Sequence, residues 1–236
     1  MGTQLLIVED DDRIRAVLRL ALEDEGYDVA EARDAETALA QLRRDGAPDL
    51  MIVDLMLGEM DGFTCIREVR HHHDMPIIVV SARDDTHDVV AALEAGADDY
   101  VTKPFEVKEI TARLRALRRR ASAAAQSGTV RDVLLDADPR APLVLSPGSG
   151  TVRRGQEELH LTLTEFRLLC ELAAESGLVL SRSVLLDRIW DRGFFGDERI
   201  VDVHVRRLRT KIEKDPAEPR IVVTVRGLGY RLDAQR

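Results

Sequence analysis

Apolar residues fall along the first half of the chain in short runs separated by stretches of helical period. The runs are QLLIV (4–8), YDVAEA (27–32), LMIVD (50–54), PIIVV (76–80) and DDYV (98–101). After them, 11–25, 35–44, 61–71, 84–95 and 106–119 space their apolar side chains for one face of a helix. Strand then helix, repeated five times, predicts a doubly wound five-stranded parallel sheet with helices on both faces. The near-continuous apolar runs fit strands buried on both sides.

The pattern then breaks. RRRASAAAQSGT (118–129) is small and polar and reads as a flexible linker. It divides the chain into a first domain over 1–120, a linker over 121–130 and a second domain over 131–236. Short strand-like pieces over 131–162, interrupted by DADPRAP and SPGSG, predict a small antiparallel sheet. Thr162-x-x-Glu165 is a capping box opening a helix with Phe166, Leu169, Cys170 and Ala173 on one face. Ser181 caps a second helix through Trp190, and a third runs from about Asp197 to Lys214. The closing IVVTV-RGLG-YRL is a hairpin. Three helices and a terminal hairpin make an α+β winged helix-turn-helix.

Composition and charge narrow the function. The 236 residues suffice for two cores. Cys65 and Cys170 are too far apart for a zinc knuckle or a disulfide framework, which points to a reduced, cytoplasmic setting. No apolar stretch approaches the roughly 18 residues of a membrane span, no signal peptide opens the chain, and Leu6 stands where myristoylation needs Ser or Thr. Residues 1–120 hold 26 acidic and 16 basic side chains, net −10, against 17 and 18 in the remainder. Within 199–231 nine basic residues face four acidic ones, net +5. Duplex DNA is repelled by the first half and attracted by that last stretch.

In a doubly wound sheet, functional groups gather at the carboxyl ends of the strands. Here those ends carry Glu9-Asp10-Asp11, then Asp54, then Ser81, then Tyr100 with Lys103-Pro104. Carboxylates that close need a counter-cation. Oxygen donors without His or Cys suit Mg²⁺, and Lys103 offers a compact charge for a phosphoryl oxygen. The set makes Asp54 a nucleophile for phosphoryl transfer. A lone Asp at a strand end is more often a cap or turn residue, and an acidic run also suits a first helical turn. The coincidence at four strand ends outweighs both. No Walker loop indicates ATP binding. The His71–His73 run lacks i, i+4 spacing and reads as a loop.

An aspartyl-phosphate hydrolase would want a second acid just after Asp54, where Leu55 and Met56 stand, so the chain is not expected to be an enzyme. A regulator working without phosphate is opposed by the complete acid-Ser-Lys set. On the third helix, wound at about 100° per residue, Val201, Val205, Leu208 and Ile212 form a buried stripe. Arg199, Val203, Arg206, Arg207, Thr210 and Lys214 lie opposite, with Asp202 and Arg209 on a flank. A solvated basic face is the ordinary meaning of such a pattern. The hairpin tip shifts it toward DNA, because Arg226 beside Gly227 suits a minor groove. Trp190 and Tyr230 are candidate phosphate donors, with core packing of Trp190 equally open.

LLIVEDDDRIRAVLRLAL, LMIVDLMLGEMDG, PIIVVSAR and GADDYVTKPF resemble the CheY-like receiver domain of bacterial two-component response regulators. LTLTEF, LLDRIW, VDVHVRRLRTKIE and TVRGLGYR resemble the winged-helix effector of the OmpR/PhoB subfamily. The resemblance implies phosphorylation of Asp54 by a partner sensor histidine kinase, and Mg²⁺ held by Glu9, Asp10, Asp54 and the Met56 carbonyl. It implies Ser81 and Tyr100 as a switch pair, a cis Lys103–Pro104 bond, promoter DNA as partner, and an RNA polymerase contact through 191–197, for which Phe194 and Phe195 are candidates, with closure of the core by these two rings equally open. It also implies a homodimer on phosphorylation, tied by Asp98 or Asp99 with Arg113, Glu94 with Arg115, and Glu109 with a basic residue. That basic position is Val89 here, and Gly58 stands where the family usually has proline.

Overall fold

The computed structural model describes residues 2–126, 131–190 and 198–234. It divides into two compact units, Met1–Arg115 and Ala116–Arg236. In the first, strands β1 (Thr3–Val8), β2 (Tyr27–Ala32), β3 (Leu50–Val53), β4 (Ile77–Ser81) and β5 (Asp99–Thr102) alternate with helices α1 (Asp12–Asp24), α2 (Ala35–Asp45), α3 (Gly62–Arg70), α4 (Thr86–Ala95) and α5 (Val107–Gln126), the last of which continues past Arg115. All pairings are parallel, in the order β2-β1-β3-β4-β5. The expected doubly wound sheet is therefore present. Strand order reverses between β1 and β3, whose ends lie side by side with Val8 opposite Val53.

Burial explains the sequence pattern. Leu5–Val8, Leu50–Val53 and Ile77–Val80 are all buried, because helices cover both faces of the inner strands. The edge strand β2 buries only Tyr27 and Ala32 and carries the acids Asp28 and Glu31 outward, as edges do. Helices α1 to α4 each open on an aspartate cap, Asp11, Asp34, Asp61 and Asp85, whose side chains accept amide hydrogen bonds. Helix α5 continues to Gln126, so 121–126 is helical where a flexible linker was expected. The four alanines of that stretch are strong helix formers. Residues 127–130 lie outside the described residues.

The second unit begins with an antiparallel sheet of β6 (Val133–Asp136), β7 (Leu143–Ser146), β8 (Thr151–Arg154) and β9 (Glu157–Glu158). Then follow α6 (Leu163–Ala174), β10 (Val179–Leu180), α7 (Arg182–Ile189), α8 (Arg199–Ile212), β11 (Val222–Val225) and β12 (Gly229–Leu232). The Thr162–Glu165 capping box is formed in both directions, and Ser181 caps α7. The terminal hairpin joins a three-stranded sheet, β10-β12-β11, whose first strand the sequence pattern did not reveal. Two residues are too few to show a period. Gly229 seals that junction: with φ of 142°, a Cβ there would lie 2.1 Å from the Leu180 carbonyl oxygen.

Candidate acidic site and nucleic-acid interface

The neighbouring ends of β1 and β3 set the site. The Asp54 amide donates to the Val8 carbonyl at 2.9 Å, extending the ladder one residue past β3. Glu9 and Asp54 are buried and Asp10 is exposed, with one carboxylate oxygen from each lying within 4.8 Å of the others. The Lys103 ammonium bridges the two buried acids, at 2.9 and 2.8 Å from the Glu9 oxygens and 2.6 Å from Asp54 Oδ2. Lys103–Pro104 is cis. The Met56 amide donates to Asp54 Oδ1 at 3.1 Å. The acidic run at 9–11 splits between two tasks: Asp11 caps α1 through the Arg13 and Ile14 amides, while Glu9 and Asp10 face Asp54.

Electrostatics follow from burial. Loss of water raises the Glu9 pKa, and Lys103 opposes this without cancelling it. Burial would lower the Lys103 pKa, but hydrogen bonds to Asp54 and Glu9 more than reverse it, so the ammonium is retained. Three carboxylates against one ammonium leave negative charge that a divalent cation would balance. The all-oxygen donor set fits a hard ion such as Mg²⁺.

Ser81 is fully buried at the end of β4, opposite Thr102 of β5. Tyr100 points inward, and its hydroxyl donates to the Arg83 carbonyl at 2.5 Å. Burial pushes its phenol up to about 12, while the nearby Ser81 hydroxyl pulls the other way. Among the described residues Ser81 Oγ completes no well-formed hydrogen bond. The Arg83 guanidinium lies 5.8 Å from the Phe63 ring centroid and pairs with Asp88 at 3.3 Å, linking the first turns of α3 and α4.

The charged residues expected at a dimer face are mostly engaged within the chain. Asp98 is fully buried and held by Arg70 at 2.7 Å and the Ile77 amide at 2.9 Å, so it is corrected to a structural residue. Asp99 is buried against Arg113 at 2.8 Å, and Arg113 also binds Glu109 at 2.7 Å. Arg115 pairs with Glu25, and Glu94 is exposed on α4.

Helix α8 is basic outside, but its face is narrower than expected. Val203 is buried, as are Ile200 and His204, because α6 and α7 both pack on the helix. Val203 is therefore corrected from the outward face to the core. Arg207 is corrected too: it pairs at 3.1 Å with Glu165, whose side chain is fully buried, beside Lys211 at 2.7 Å. Burial opposes the Glu165 charge, yet Arg207 and Lys211 hold its pKa below the usual range. Arg209 donates to the Val222 carbonyl at 2.8 and 2.6 Å and to Thr224 at 2.8 Å, so it braces β11. Trp190 is buried with its ring 5.2 Å from that of His204, the core packing that its apolar ring allows. Tyr230 is buried and its hydroxyl donates to Asp202 at 2.6 Å, which corrects it as a phosphate donor. Arg199, Arg206 and Thr210 remain exposed along α8, with Arg226 exposed in the hairpin turn. Residues 191–197, including Phe194 and Phe195, lie outside the described residues. Sequence reasoning missed the internal roles of Gly62, Arg182 and Asp202, and the buried partners of Glu165. The capping box marked Glu165 as a helix start only.

Cys65 and Cys170 are pushed up to about 12 by burial and do not offer reactive thiolates.

Comparison with known proteins agrees with both units. Residues 5–115 match the response regulator receiver domain, and 155–232 match the C-terminal domain of transcriptional regulatory proteins. The chain is 44% identical over 229 residues to the transcriptional regulatory protein AfsQ1 of Streptomyces coelicolor, covering 97% of each. It is 42% identical over 232 residues to the DNA-binding response regulator MtrA of Mycolicibacterium smegmatis, covering 98% of this chain and 97% of that one. The crystal structure of DrrB, a Thermotoga maritima OmpR/PhoB homolog, aligns with 99% of this chain and 100% of its own at a TM-score of 0.52 and 29% identity.

Proposed function

This chain belongs to the OmpR/PhoB subfamily of two-component response regulators and regulates transcription, and we propose that phosphorylation of Asp54 by a sensor histidine kinase controls its binding to promoter DNA. The observation that carries the reading is the Lys103 ammonium spanning Glu9 and Asp54 beside Asp10. An Asp54 carboxylate oxygen attacks the phosphorus of a phosphohistidine. The new O–P bond forms as the P–N bond breaks, and the imidazole leaves. Lys103 meets the developing phosphoryl charge, and the buried Ser81 hydroxyl donates a hydrogen bond to a phosphoryl oxygen. Mg²⁺, held by Glu9, Asp10, Asp54 and the Met56 carbonyl, would supply the remaining charge neutralisation. Tyr100 and Ser81 then report the phosphoryl group to α4 and β5.

The receiver extends to about residue 120, the effector runs from 131, and phosphorylated chains pair through α4, β5 and α5. The effector reads DNA through Arg199, Arg206 and Thr210 on α8 and through Arg226. Residues 191–197 contact RNA polymerase. The chain acts in the cytoplasm and catalyses no turnover of its own; among the described residues no helix is long and apolar enough to cross a membrane. Asp54→Asn tests the central step. A radiolabelled small-molecule phosphodonor with Mg²⁺ should label the wild type and leave the variant unlabelled, and undiminished labelling would remove Asp54 as the acceptor.

A further inference from the structure

Asp202 stands out on α8. It sits between Arg199 and Arg206 on the side of the helix the reading above assigns to DNA, and its side chain is 40% exposed. Electrostatics alone makes an acid there a liability, since it repels phosphates. Its contacts suggest another use. Asp202 Oδ1 accepts from the Tyr230 hydroxyl at 2.6 Å and from Arg182 Nε at 2.6 Å. Arg182 NH2 also reaches the Tyr230 hydroxyl at 3.4 Å, and its guanidinium lies 5.0 Å from the ring centroid. Arg209, which braces β11 through the Val222 carbonyl, lies 5.6 Å from the same ring. The first residue of α7, two turns of α8 and both strands of the hairpin thus meet at one phenol.

We propose that Asp202, Arg182 and Tyr230 form a clamp that sets the position of the terminal hairpin against α8, making them positioning residues for DNA binding rather than DNA contacts. The proposal rests on the reading that α8 and Arg226 both touch DNA. Tyr230 pairs with Thr224 across the hairpin, and Val225 pairs with Gly229 at the turn that carries Arg226. The clamp therefore grips the hairpin one rung from its tip. A shift of the hairpin relative to α8 would leave one of the two contacts short, at a cost in affinity for a fixed site but little for random sequence.

The test uses the full chain and a duplex that the wild type has selected from a random pool. Anisotropy titrations compare Tyr230→Phe, Asp202→Ala, Arg226→Ala and the Tyr230→Phe/Arg226→Ala pair, against both that duplex and random-sequence DNA. Tyr230→Phe, which changes no charge, should weaken the selected duplex about tenfold and leave random DNA unchanged. Asp202→Ala should also weaken it, although the variant has lost a negative charge facing DNA. The double variant should bind no worse than Arg226→Ala, because the clamp acts through the hairpin. Wild-type affinity for Tyr230→Phe beside a weakened Arg226→Ala, tighter binding by Asp202→Ala, or multiplicative losses in the double variant would each overturn the clamp. Wild-type affinity for Arg226→Ala would overturn the hairpin contact and the clamp with it. If Asp202→Ala fails to fold, the conservative Tyr230→Phe and its cycle still decide.

Discussion

Gly62 begins α3 directly behind the acidic site. A Cβ there would lie 2.2 Å from the Asp54 carbonyl oxygen and 2.6 Å from the Leu55 Cα. Both obstacles are backbone, so alanine must push α3 away or move the strand end that aims Asp54. Gly62→Ala is expected to cost about 1–3 kcal/mol in urea unfolding, the range for overpacking, and to slow labelling of Asp54. Wild-type stability together with wild-type labelling would show that the close approach is not required. Gly58 makes a different demand. Its φ of 82° is closed to proline, so the departure from the family's usual residue is also a departure in backbone conformation. The meeting of Asp54 and Lys103 was legible in the sequence because charged groups at neighbouring strand ends of a doubly wound sheet converge. Gly62 was not, because its constraint is a backbone approach that leaves no periodic trace.

Helix α8 shows how an element can be found by period while its faces are misjudged. Four apolar positions marked the buried stripe, yet Ile200, Val203 and His204 are buried as well. A helix packed from two sides buries more than the single stripe a surface helix does. That turns Arg207 inward to Glu165 and leaves Arg206 exposed. Arg206→Ala should weaken DNA binding by about 1–3 kcal/mol if the residue reads a base, with relaxed preference at that base pair. Arg207→Ala should instead lower the stability of the second unit, leaving the sequence preference as it was. The reverse assignment in a binding-site selection would return Arg207 to the DNA face. Glu165 adds a pH dependence. Its folded pKa is depressed, so its ionic contribution is complete above the unfolded value of 4.5 and is lost as pH falls through the lower folded value. Glu165→Gln should cost about 3–5 kcal/mol near neutrality, as breaking a buried pair does, and the gap to wild type should narrow below pH 4.5. A gap independent of pH would show that the loss does not come from the carboxylate charge paired with Arg207 and Lys211, since glutamine keeps the capping box.

At the scale of the whole molecule, alternation of strand and helix was enough to find the receiver sheet, and the change of pattern after residue 130 was enough to find the winged helix. Charged partners were harder to assign, because an ion pair leaves no period in a sequence. Asp99, Arg113 and Glu109 illustrate this: each is of a type that suits a twofold interface, and all three are already joined within one chain. Pairing of two chains through α4, β5 and α5 must therefore share or exchange these bonds. Val89 in α4 is half-buried and supplies no charge for Glu109, whose side chain is 44% exposed. The Arg113 bond offsets part of that deficit by holding Glu109 beside a cation. Exposed ion pairs contribute roughly 0–1 kcal/mol each, so the missing base weakens a dimer by up to about fivefold and does not prevent it. Phosphorylation-dependent dimers of modest affinity are expected, with tandem half-sites about one helical turn apart supplying further cooperativity. Val89→Lys should tighten the dimer several-fold in sedimentation with Mg²⁺ and beryllofluoride, and the gain should shrink as salt is raised. Equal association of variant and wild type at low salt would mean that Arg113 already satisfies Glu109, and that the charge missing from α4 has no bearing on assembly.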